Sequence, residues 1–153
     1  RKTDVMLMMA EAMVSRPSAG PEDFKKSFEI VRVINTRSRM DSTNIKKPLN
    51  ERNYQTRETA KELVLKERLL ELSFEGKRWF DLIRMARRDG NNIRLSTLAT
   101  RKYIENVNAI KIKLANPDRI YFPYAKSELK VNPLLKQNPA YSNTEDSELT
   151  TNK

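Results

Sequence analysis

Glu67 and Glu71 stand one helical turn apart in a stretch, residues 67 to 84, where carboxylates, guanidiniums and large apolar groups alternate. Carboxylates at that spacing share one helix face. Such a pair can be half of a di-metal site, an acid/base pair for glycoside cleavage, or part of an ion-pair network. The chain has no histidine and no cysteine. Helical di-metal sites complete their ligand set with Glu-x-x-His pairs, so the metal reading lacks its partners. The same absences remove the Ser-His-Asp triad and thiolate chemistry. A general acid of raised pKa wants an apolar pocket, whereas Arg78 and Arg84 follow just beyond Gly76. The pattern therefore predicts a structural ion-pair network of Glu67, Glu71, Arg78, Asp81 and Arg84. In it Glu67, Glu71 and Asp81 pair with Arg78, Arg84, Arg37 or Arg39. No catalytic residue, metal or cofactor is expected, and Gly20, Gly76 and Gly90 are too isolated for a phosphate-cradling loop. Arg78→Ala should lower thermal stability sharply without altering ligand contacts.

The elements that position these groups read as helices. At about 100° per residue, Ala60, Leu63, Val64, Leu70 and Phe74 share one face of a helix from Arg57 to Glu75, with Glu67 and Glu71 in its middle. Leu65, Leu69 and Leu72 form a stripe roughly opposite, which predicts a helix sandwiched between neighbours and carboxylates withdrawn from water. A following helix over 77–89 places Trp79, Leu82, Ile83 and Ala86 on one face and Arg78, Asp81 and Arg84 alongside. Upstream, a helix from Thr3 or Asp4 to Ser15, with Asp4 as its cap, carries a long apolar run and should be buried on more than one side. Its methionines read as core packing. A second helix opens at Pro21 or Glu22 and buries Phe24, Phe28, Val31 and Ile34.

Between Arg37 and Gln55 the chain is polar and reads as a long loop, the local candidate for a contact surface. Residues 97–111 pattern as one helix. Asn116-Pro117-Asp118 is a turn, Ile120 to Phe122 is extended, and Ser127-Glu128-Leu129 reads as a capped helical turn. The organisation predicted is a helical domain over 1–141 and a polar tail over 142–153. The fold class is all-α, built of tetratricopeptide-like helical-repeat hairpins with irregular loops and a C-terminal extended segment.

Apolar residues at 38% and charged residues at 33% suffice for one helical core in 153 residues. Thirty basic side chains face twenty acidic ones. Residues 77–102 hold eight basic and two acidic groups, a footprint that a basic helical adaptor or nucleic-acid-binding module would show. Commitment of these arginines to internal carboxylates accounts for the cluster without nucleic acid. The longest apolar run, Val5 to Ala10, is far shorter than the ~20 residues that span a bilayer.

Three blocks resemble one family. Leu72 to Arg84, LSFEGKRWFDLIR, preceded by Glu67-Arg68 and Glu71, is similar to the signature of the SusD/RagB family. Asp4 to Ala12 followed by Ile34-Asn35-Thr36-Arg37-Ser38-Arg39 resembles its "L-x-x-A-E-A … I-N-x-I-R-x-R" helix pair. Phe122-Pro123-Tyr124, Glu128-Leu129, Asn132-Pro133 and Gln137 to Tyr141 resemble its closing "P-I-P-x-x-E-L … N-P … Q-N-P-G-Y". The family usually has proline where Ala125 stands, glycine where Ala140 stands, and a small polar residue or histidine where Lys77 stands. The resemblance implies the C-terminal segment of a non-catalytic, surface-exposed outer-membrane lipoprotein whose N-terminal part and lipid anchor lie outside this chain. It implies capture of oligosaccharide, in some members peptide, for a SusC-like TonB-dependent transporter, with no nucleic acid involved. Family glycan contacts lie mainly upstream or in insertions, so no ligand residue carries over by position.

Overall fold

The computed structural model of the chain describes residues 1–38 and 48–142, so Arg39 and the tail from 143 onward lie outside the described residues. Among those residues the fold is all-α, with seven α-helices, three short 3-10 turns and no strand. The chain divides into two compact units, Arg1–Asp81 and Leu82–Lys153.

In the first unit, helices α1 (Lys2–Ser15), α2 (Pro21–Ser38) and α3 (Arg57–Glu71) pack on one another. Leu7 and Ala10 of α1, Phe28, Val31 and Ile34 of α2, and Leu63 and Val64 of α3 form the core. Val14, Phe24 and Ala60 form a second cluster, with Ala19 of the α1–α2 turn packed against it. Small residues at positions 10 and 60 let the helices approach closely. The turn is tied down twice: the Asp23 carboxylate accepts the Gly20 N–H at 3.0 Å, and Arg57 Nη2 donates to the carbonyls of Pro17 and Ala19 at 2.8 and 3.1 Å. Thr56 and Thr59 cap α3 reciprocally. A 3-10 turn over Glu51–Tyr54 sets Tyr54 against Phe28, ring centroids 6.0 Å apart.

Four local expectations differ in the structure. Helix α1 is buried along one stripe only, Thr3, Leu7, Ala10 and Val14, while Val5, Met8 and Met9 are 61, 46 and 49% exposed. One face meets α2 and α3, and Val5, Met8 and Met9 lie on the other. Asp4 lies inside the first turn instead of capping it, because the helix begins at Lys2. Helix α3 stops at Glu71, so Phe74 falls in the following turn at φ 67° with its ring fully exposed, and Leu69 and Leu70 stay half exposed. The second apolar stripe therefore closes only at Leu72. Helix α2 runs on through Ser38 and takes Arg37 out of the loop that the sequence suggested.

The boundary between the units falls within α4 (Arg78–Asp89), which ends at Gly90 in the left-handed region. In the second unit, residues 97–111 do not form one helix. Helix α5 (Ile93–Thr100) ends where Thr97 and Thr100 bond back to the carbonyls of Ile93 and Ser96, and Asn106 at φ 57° precedes α6 (Val107–Ala115). Threonines that bond back a turn favour local bonds over continued helix. The Asn92 amide ties the two helices by donating to the carbonyls of Leu114 and Asn116 at 3.0 and 3.3 Å.

The C-terminal segment runs through a 3-10 turn at Pro117–Ile120, an irregular extended stretch over residues 121–125, α7 (Lys126–Val131) and a 3-10 turn at Pro139–Tyr141. Ser127 lies inside α7, whose N-cap is Ala125 with no side-chain bond, so the expected capped turn is a short uncapped helix. Gln137 bonds both the N–H and the carbonyl of Tyr124 at 3.0 Å, as a strand partner would. Asn138 donates to the Asp118 carbonyl at 2.8 Å and accepts from the Ala140 N–H at 3.0 Å. Among the described residues only Phe74 and Asn106 are non-glycine residues at positive φ. The closing turn therefore needs no glycine at position 140.

Candidate functional site

The densest concentration of ionisable side chains lies in the first unit, where α1, α3 and the start of α4 meet. Its centre is Arg68, 3% exposed. Its guanidinium lies 3.0 Å from Asp4 Oδ1, 3.0 Å from Asp81 Oδ1 and 3.8 Å from Glu11 Oε2. Lys77 reaches Asp4 and Glu75, and Arg1 also pairs with Glu75. A guanidinium with five N–H donors suits several carboxylates at once.

The structure places the predicted residues as follows. Glu67 is 3% exposed and accepts a hydrogen bond from the Asn35 side-chain amide at 3.0 Å. Glu71, with a side chain 6% exposed, faces Arg37 at 2.6 Å and Arg1 at 3.4 Å. Asp81 meets Arg68. Arg78 donates from Nη1 to the carbonyl of Leu65 at 3.1 Å, tying the start of α4 to α3. Arg84 lies in the second unit, half-buried, and Arg39 lies outside the described residues. Sequence reasoning passed over Arg68 and Asn35. Arg68 sits four residues after Val64 on the buried side of α3, and that phase was the available signal.

Electrostatics follow from this geometry. The hydrogen bond from Lys77 holds Asp4 below the ordinary carboxylate range, with Arg68 adding to it against an opposing push from burial. Burial pushes Glu71 up, but hydrogen bonds from Arg37 and Thr3 and the charges of Arg37 and Arg1 outweigh it and leave its pKa lowered. Both groups are thus held as carboxylates. That is the opposite of what a proton-donating acid needs. Among the described residues no cluster of three or more acidic groups is disposed to hold a metal ion, and no helix is long and apolar enough to cross a membrane.

An open groove runs between α2 and the 3-10 turn over Glu51–Tyr54, lined by Phe28, Arg32, Leu49, Asn50, Asn53 and Tyr54. It covers the described part of the segment that the sequence singled out as a contact surface. Arg32 is engaged with Glu29 at its rim.

The chain matches the family model of the SusD family over residues 1–141, and it belongs to that family. The family is one of binding proteins, generally non-catalytic, associated with nutrient uptake at the outer membrane. Neither a curated protein nor a solved structure matches the chain.

Proposed function

We infer that the protein is a non-catalytic nutrient-binding lipoprotein of the outer-membrane surface. It captures oligosaccharide and passes it to a SusC-like TonB-dependent transporter. Family membership over residues 1–141 is the observation that carries this reading. The site chemistry is consistent with it: Asp4 and Glu71, held ionised by cationic partners, are suited to holding helices together and poorly suited to delivering a proton. In this account the network of Glu67, Glu71, Arg78, Asp81 and Arg84 is architectural, and the ligand is held by surfaces elsewhere.

The test is affinity electrophoresis of the protein through gels containing soluble polysaccharides, with chromatography of the sugars afterwards. Retardation by at least one polysaccharide with no change in chain length is expected. Release of shorter sugars would contradict the non-catalytic reading, and unretarded mobility in every gel would contradict glycan capture. Co-purification of a TonB-dependent barrel with the protein from detergent-solubilised membranes tests the partner.

A further inference from the structure

Charge is distributed unevenly along this chain. Residues 1–81 carry seventeen basic and thirteen acidic side chains, whereas residues 82–142 carry twelve basic and four acidic. Several cations of the second unit are set against tyrosine rings. Arg87 donates from Nε to the Tyr121 hydroxyl at 2.7 Å, and its guanidinium carbon lies 5.3 Å from that ring centroid. Arg119 lies over the Tyr141 ring at 5.3 Å. Between Arg119 and Tyr121, Ile120 is buried and pins the strip to the unit. Phe122 and Tyr124 follow, 84 and 50% exposed. The strip is braced by Gln137 on both backbone groups of Tyr124 and by Asn138 on the carbonyls of Asp118 and Tyr121.

Guanidiniums and flat rings thus stand side by side on a braced backbone. An acidic sugar presents two complementary features, an apolar C–H face and a carboxylate or sulfate on the same ring. A ring face takes the first, and a guanidinium takes the second by charge-assisted hydrogen bonds. Two of the five N–H donors of Arg87 face Tyr121, which orients its fork. We propose that this strip, centred on Arg87, Tyr121, Phe122 and Tyr124, binds acidic oligosaccharides bearing uronate or sulfate groups. The proposal rests on the glycan-capture reading above and names its ligand class.

The test is isothermal titration of the protein with an oligogalacturonate, a neutral malto-oligosaccharide of equal length and a single-stranded oligonucleotide of equal charge. The acidic sugar should bind about tenfold or more tightly than the neutral one, and Arg87→Gln and Phe122→Ala should each weaken it about tenfold. Both side chains are exposed, so helical circular dichroism should be unchanged in both variants. Raising salt from about 0.05 M to about 0.3 M should weaken the acidic sugar and spare the neutral one. Equal affinity for both sugars would overturn the proposal, as would unaltered binding by both variants. Equal affinity for the oligonucleotide would also overturn it, by revealing a general polyanion surface. Binding of the neutral sugar alone defeats this proposal and leaves glycan capture standing; failure of every sugar, acidic or neutral, defeats both.

Discussion

The two units of this chain use charge in different ways. In the first, Asp4, Glu11, Glu67, Glu71 and Asp81 are withdrawn from water and met by Arg68, Asn35, Arg37 and Lys77, so ionic side chains fix how three helices pack. In the second, basic residues outnumber acidic ones threefold over residues 82–142, α6 and α7 have no buried residue, and large apolar side chains such as Ile104, Ile112 and Phe122 are exposed. Charge density along a sequence therefore says little until each group's partner is known. Eight basic residues between 77 and 102 look alike in the sequence, yet Lys77 serves the interior carboxylates while Arg101 and Lys102 face water.

Arg68→Met leaves Asp4, Glu11 and Asp81 without their shared cation. The expected loss is about 3–5 kcal/mol, the range for breaking a buried pair by removing one partner, read by urea unfolding. A loss below about 1 kcal/mol, that of an exposed pair, would place the first unit's charges in the same class as the second's. Leu7→Ala, at the fully buried centre of the first core, should cost about 2–4 kcal/mol in the same assay.

Acidification sharpens the contrast. Asp4 and Glu71 have folded pKa values below their unfolded ones, so their stabilisation is complete above the ordinary carboxylate range. It is lost as pH falls through the lowered values. Arg37→Ala should move the acid unfolding midpoint upward, because Glu71 then protonates at a higher pH. An unmoved midpoint in a fluorescence-monitored pH titration would count against the pair. A smaller effect of opposite sign is expected at Phe74, whose ring is exposed at positive φ. Phe74→Gly should raise the unfolding free energy by roughly 0.5–1 kcal/mol through relief of left-handed strain. At the bottom of the scale, Lys111→Ala in the second unit should change stability by less than about 0.5 kcal/mol.

Much of the first unit was legible in the sequence. Phe24, Phe28, Val31 and Ile34 recur at helical spacing and are the buried residues of α2, with Ser27 between them. The burial of Glu67 and Glu71 followed from their place within an apolar stripe. The choice among partners did not, because a guanidinium reaches several turns in any direction. Arg68, adjacent to Glu67 in sequence, is in phase with buried Val64, but its partners emerge only when α1 and α4 bring Asp4, Glu11 and Asp81 around it. The break between α5 and α6 was hidden for a different reason. Tyr103, Ile104 and Val107 fall within about 100° of arc on an ideal helix, but Tyr103 and Ile104 are 48 and 97% exposed. Periodicity registers apolar spacing and not whether a packing partner exists. The closing segment is held by Gln137 and Asn138 bonding to distant backbone groups, and such contacts leave no period at all.

Carbon-13 NMR titration of the Asp4 and Glu71 carboxyl groups bears most directly on the claim that the first unit's acids serve architecture. Both midpoints are predicted to lie below those of the same side chains in the unfolded chain, with Glu71 rising when Arg37 is replaced by alanine. A midpoint for Glu71 displaced upward toward neutrality, as in a carboxyl poised to donate a proton, would contradict the account.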